Sequence, residues 1–147
     1  YILYFPGLTT PGRIYDEVIT SADIFPTVMD LTGIPYQEVD GRSFLPVLRG
    51  KELEERPVFW HYPHYSNQGG HPGAAVRKGH LKLIRFFEED QIELYDLSSD
   101  PGETINLKDS LREETDELLR MLNNWLVNTD AQLPVANPVY QPNDSLK

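Results

Sequence analysis

His80-Leu81-Lys82-Leu83-Ile84-Arg85-Phe86-Phe87, a charged turn over residues 88–91, and then Ile92-Glu93-Leu94-Tyr95-Asp96-Leu97 decide the fold of this chain. Two strand-like runs joined by so short a turn predict an antiparallel hairpin, because a parallel pair needs a crossover of a dozen residues or more. Outward from it, residues 58–62 and 74–77 are two further strand-like runs bounded by Pro, Gly and Asn clusters. Four such runs in close succession predict an antiparallel meander. In the third run Leu81, Leu83 and Arg85 alternate with Lys82, Ile84 and Phe86, so both faces of the sheet are at least partly covered. Downstream, Ser110 and Glu113 are spaced as a capping box that opens a helix. Leu111, Leu118, Leu119, Leu122, Trp125 and Leu126 then make an apolar stripe wide enough to cover one sheet face.

The first third reads differently. Residues 1–5, Tyr-Ile-Leu-Tyr-Phe, form an unalternating apolar run stopped by Pro6-Gly7, which suits a strand buried on both faces of an α/β sheet. Residues 18–20 suggest a second short strand. Residues 21–31 predict a helix capped by Ser21 or Asp23, with Pro26 early enough to be tolerated and Ile24, Phe25, Val28 and Leu31 as its apolar stripe. Gly33 and Pro35 end it. The expected organisation is an α+β fragment: a remnant of a large α/β domain over 1–50, an antiparallel sheet of about four strands covered by a helix over 51–130, and an extended tail over 131–147. The chain opens with Tyr1 inside a strand-like run, without Met and without a visible signal peptide, so a processed or truncated product is expected.

With 39% hydrophobic and 24% charged residues, the 147-residue chain has an ordinary globular composition, and no apolar run is long enough to span a membrane. There is no cysteine, which excludes disulfides, a cysteine nucleophile and a thiolate metal site. The formal net charge is -10, yet residues 56–87 contain no Asp or Glu while holding Arg56, Arg77, Lys78, Lys82, Arg85 and all 4 histidines. Such a strip suits a small anionic ligand; equally, it suits strand cations pointing to solvent. Nucleic acid is excluded as a partner, because it needs a broad basic face.

Five segments in this order resemble the C-terminal third of the sulfatase family: the 1–7 strand with its Pro-Gly stop; Asp23-Ile24-Phe25-Pro26-Thr27; Asp40-Gly41-Arg42-Ser43; Arg77 followed by Lys82-Leu83-Ile84; and Glu93-Leu94-Tyr95-Asp96-Leu97 with Asp100-Pro101, Glu103 and Asn106-Leu107. The resemblance runs from Tyr1 to about Thr129. It implies a parent enzyme that hydrolyses sulfate esters with a formylglycine made from Cys or Ser in a C/S-x-P-x-R motif, beside a calcium ion held by Asp and Asn. Those elements are expected upstream, and no cofactor is expected in this fragment. Ser99-Asp100-Pro101-Gly102-Glu103 places Ser and Pro in register but has Glu where Arg is required, so no catalytic residue is assigned.

Trp60-His61-Tyr62-Pro63-His64-Tyr65-Ser66-Asn67-Gln68-Gly69-Gly70 remains. In the family, a loop at this position approaches the active-site mouth. Aromatic rings can stack on sugars, and His and amide groups can hydrogen-bond hydroxyls or a sulfate. The candidate substrate-binding residues are His61, His64, Asn67, Gln68 and Arg77. Strand packing of His61 and Tyr62, and metal ligation by His61 with His64, stay open beside that reading. The expected partner is a sulfated small molecule or glycan bound by the parent enzyme. Two alternatives are an independent binding module and a phosphodiesterase or phosphonate hydrolase of the same superfold.

Overall fold

The computed structural model describes residues 1–67, 69–88, 90–135 and 137–139. The chain forms two compact units, Tyr1–Glu55 and Arg56–Lys147.

In the first unit a 3-10 turn, Ser21–Asp23, runs into α1 (Ile24–Thr32), which ends on Gly33 in the left-handed region at φ 69°. A buried polar anchor explains the local sequence. The Asp23 carboxylate accepts from Thr20 N at 2.7 Å and from Arg42 N at 2.8 Å. Thr27 Oγ1 donates to Asp23 O at 2.6 Å and accepts from Phe44 N at 3.0 Å. A Cβ on Gly41 would lie 1.9 Å from Ala22 O, so only glycine fits where this turn crosses the helix start. The anchor leads into α2 (Leu45–Leu48), where Phe44, Leu45, Val47 and Leu48 are buried beneath Leu3, Phe5, Leu8, Leu31 and Leu53.

Three expectations are corrected in this unit. Residues 1–5 and 18–20 are not strands, and no segment among the described residues pairs with them. Leu3 and Phe5 pack on the apolar cluster while Ile2 and Tyr4 stay exposed, so the period of two survives without a ladder. On α1, Ile24, Phe25 and Val28 are exposed, and Pro26 and Thr27 are the buried residues. The Asp23–Thr27–Phe44 bonding turns that side of the helix inward.

The second unit follows the predicted meander. Strands β1 (Val58–Tyr62), β2 (Gly73–Lys78), β3 (Leu81–Phe86) and β4 (Ile92–Asp96) pair antiparallel in sequence order. Helix α3 (Arg112–Asn128) covers one face. Ala74, Val76, Leu83 and Leu94 meet Leu118, Leu122 and Leu126 in one core, and burying a Leu completely contributes about 1.5–3 kcal/mol. Phe59 stacks on Trp125 with ring centroids 4.9 Å apart. The capping box at Ser110 is not formed. Leu107 O accepts from both Ser110 N and Leu111 N, which keeps Ser110 in a turn outside the helix, and Leu111 becomes the N-cap without a side-chain cap bond. No helix among the described residues is long and apolar enough to cross a membrane.

Candidate functional site

The alternation of β1 sorts its aromatic residues onto two faces. Phe59 and His61 point toward α3. His61 Nε2 lies 2.9 Å from Gln132 O, so that nitrogen carries the proton, and the ring meets Phe87 edge-on at 5.6 Å. Trp60 and Tyr62 take the opposite face, 46% and 53% exposed. The strand then enters the 63–72 loop. His64 is exposed and meets the Tyr62 ring edge-on at 5.7 Å; Asn67 is exposed at the loop's turn. The loop closes on itself, with Ser66 N donating to Gly70 O and Gly69 N to Ser66 O; Gly69, at φ 88°, supplies the left-handed residue the turn requires. Gln68 lies outside the described residues. Arg77 is remote from the loop. It pairs across with Val58 and Lys82, four residues along β2 from the loop end at Gly73, which is about 13 Å at the usual strand rise. Its Nε donates to Gly79 O at 2.9 Å.

The basic strip finds its acids in the following segment. Lys78 meets Glu117 at 2.8 Å, Lys82 meets Glu103 at 2.6 Å, and Arg85 meets Asp90 at 2.9 Å. Arg85 Nη1 also donates to Asn123 of α3 at 2.8 Å. The cations of β2 and β3 therefore serve largely as cross-links within the unit. His64 and Asn67, both exposed on the loop, stand in contrast to them.

A family model described as N-sulphoglucosamine sulphohydrolase, C-terminal, matches residues 1–132. The chain belongs to the sulfatase family. A sulfatase of Formosa agariphila is 30% identical over 149 residues, aligning 88% of this chain with 27% of its own length. Human arylsulfatase A is 31% identical, with 82% of this chain and 28% of its own covered. A solved structure in complex with its substrate, D-glucosamine-2-N,6-O-disulfate, superposes with a TM-score of 0.63 at 27% identity, over 75% of this chain and 24% of that one. The chain thus spans about a quarter of the length of the relatives it matches. These matches bear out the α+β sheet-and-helix subdomain.

The sulfatase signature residues of the second unit all have structural partners. The Asn106 side chain completes the free edge of β4: its Oδ1 accepts from Leu94 N at 3.1 Å and its Nδ2 donates to Ile92 O at 3.4 Å, and next to it Leu107 N donates to Leu94 O at 2.8 Å. Asp100 accepts from the amides of Ile105 and Thr104, first among the causes that hold its carboxyl below the usual range being the Ile105 amide. Burial, with the Glu93 carboxylate accepting the Tyr95 hydroxyl, pushes that phenol up to about 12. The residues present do not fit the family's reactive centre. Ser99 sits in the turn after β4 with its amide on Asp96 O at 3.3 Å, and Glu103, where the motif needs Arg, is bound to Lys82. Among the described residues no three His, Asp or Glu side chains gather as metal ligands.

The sequence reading missed the sidedness of β1 and the tie from Tyr65 to Glu88, whose carboxylate accepts the Tyr65 hydroxyl through both oxygens. The first was legible: a period of two puts His61 with the apolar Phe59. The second was not, because it joins residues 23 apart through two loops.

Proposed function

We propose that this chain is the substrate-side subdomain of a sulfatase that acts on a sulfated saccharide, with the formylglycine nucleophile and the calcium ion supplied by another part of the enzyme. The first unit then belongs to the large α/β domain. The observation that carries the reading is the composition of one exposed stretch: His64 and Asn67 reach solvent, His64 against the Tyr62 ring, and Trp60 and Tyr62 are half-exposed on the same face of β1. Rings can stack on sugar faces, and imidazole and amide groups can hold hydroxyls or sulfate oxygens. The disulfated glucosamine bound by the structural relative supports a saccharide as the substrate class.

His64 and Asn67 supply the contacts, and Gln68 belongs to the same proposal. His61 backs the loop from the α3 side through its bond to Gln132 O. Arg77, about 13 Å along the sheet, reaches a saccharide only if the ligand extends past one residue. In the full-length enzyme, His64→Ala and Asn67→Ala are each expected to lower kcat/KM on the sulfated saccharide by about tenfold, while a small aryl sulfate is spared. Equal losses on both substrates, or none on either, would overturn the proposal.

A further inference from the structure

We infer that Tyr65 and Glu88 form a clasp that positions the 63–72 loop for substrate, a role that rests on the reading of that loop as a substrate contact. Tyr65 sits between His64 and Asn67, and its hydroxyl donates to both carboxylate oxygens of Glu88 in the turn joining β3 to β4. A second tie runs alongside: Phe87 N donates to Pro72 O at 3.0 Å, so the end of the loop is hydrogen-bonded to the same turn. The exposed His71 ring lies 6.3 Å from that of Tyr65 and 6.4 Å from that of Phe86.

The turn that receives the loop is itself pinned. Phe86 N donates to Gln91 O at 2.9 Å, closing the hairpin. Asp90 holds the guanidinium of Arg85, and that guanidinium reaches Asn123 on α3. The chain of contacts therefore runs from the core helix through Arg85 to the turn, and from Glu88 to the loop residue flanked by the two candidate ligands. Tyr65 is 65% exposed, and an exposed bond of this kind contributes little to global stability. Its consequence is local. Held at Tyr65, the loop keeps the His64 imidazole and the Asn67 amide at a fixed separation; released there, it loses this side-chain bond to the β3–β4 turn.

Tyr65 and Glu88 are thus positioning residues. The test uses Tyr65→Phe and Glu88→Gln in the full-length enzyme, with steady-state kinetics on the sulfated saccharide and on a small aryl sulfate. Amide exchange at Ser66 and Gly69 is measured in the same proteins. Tyr65→Phe is expected to speed exchange at those two amides and to raise KM on the saccharide about threefold to tenfold, with kcat and the aryl sulfate reaction unchanged. Glu88→Gln keeps an acceptor oxygen and is expected to fall between wild type and Tyr65→Phe. Unchanged exchange in Tyr65→Phe would overturn the clasp itself. Faster exchange with unchanged KM would overturn its positioning role if His64→Ala and Asn67→Ala do raise KM; if they do not, the substrate reading fails first and the positioning role falls with it.

Discussion

The two units differ in where their apolar side chains end up. In the second, Val76, Leu83, Leu94 and Leu122 are wholly buried between strands and helix, and each strand pairs with its neighbour in sequence. In the first, Ile2, Tyr4, Ile14, Phe25 and Ile34 are exposed, and the buried cluster reduces to four residues around α2. An antiparallel meander carries its pairing instructions locally, so it can complete its own core. A run such as residues 1–5 can act as a strand only when a neighbour supplies the ladder, and its apolar composition says nothing about where that neighbour lies.

The strongest way to break this contrast is a pair of truncations. Leu122→Ala is expected to cost about 2–5 kcal/mol in denaturant unfolding, since the side chain is fully buried in the core. Phe25→Ala, in the first unit, removes a half-exposed ring packed edge-on against Tyr36 and is expected to cost under about 1 kcal/mol. Comparable losses would mean that the first unit is as tightly packed as the second.

Alkaline titration sharpens the same point. The fold favours the neutral Tyr95 phenol, whose pKa is raised from 10.0 to about 12 by burial and by Glu93. Its contribution is therefore fully present below pH 10.0 and is lost as pH rises through about 12. Tyr95→Phe should flatten the stability profile in that window; an unchanged slope would show that the phenol is not the group responsible.

Asn106→Ala should cost about 1–2 kcal/mol, because it leaves the Leu94 amide of β4 without its acceptor. The smallest effect is expected at the Lys82–Glu103 pair: Glu103→Gln should cost about 0.2–1 kcal/mol, less in high salt. A loss that salt leaves untouched would show that Glu103 acts through something other than charge.

The four strands and the stripe of α3 were legible because period-two and helical spacing are local signals, and Leu83, Leu94, Leu118, Leu122 and Leu126 occupy the positions those signals assign. Ser110 was misread because a capping box and a turn closed on Leu107 O share the same residues. The acid-free strip was visible, but its neutralisation was not: Glu117 lies 39 residues beyond Lys78. At the candidate site the loop's composition was legible, and the sidedness of β1 was implicit in it. The attachment of the loop through Tyr65 depends on which two turns share one end of the sheet, which only the assembled meander reveals.

Amide hydrogen exchange on the intact chain tests the contrast most directly, since it reads both units in one sample. The account predicts that the amides of β2, β3 and the Leu118–Leu126 turns of α3 exchange only through global unfolding, while residues 1–20 exchange orders of magnitude faster. Equal protection across the two units, rising and falling together with denaturant, would contradict it.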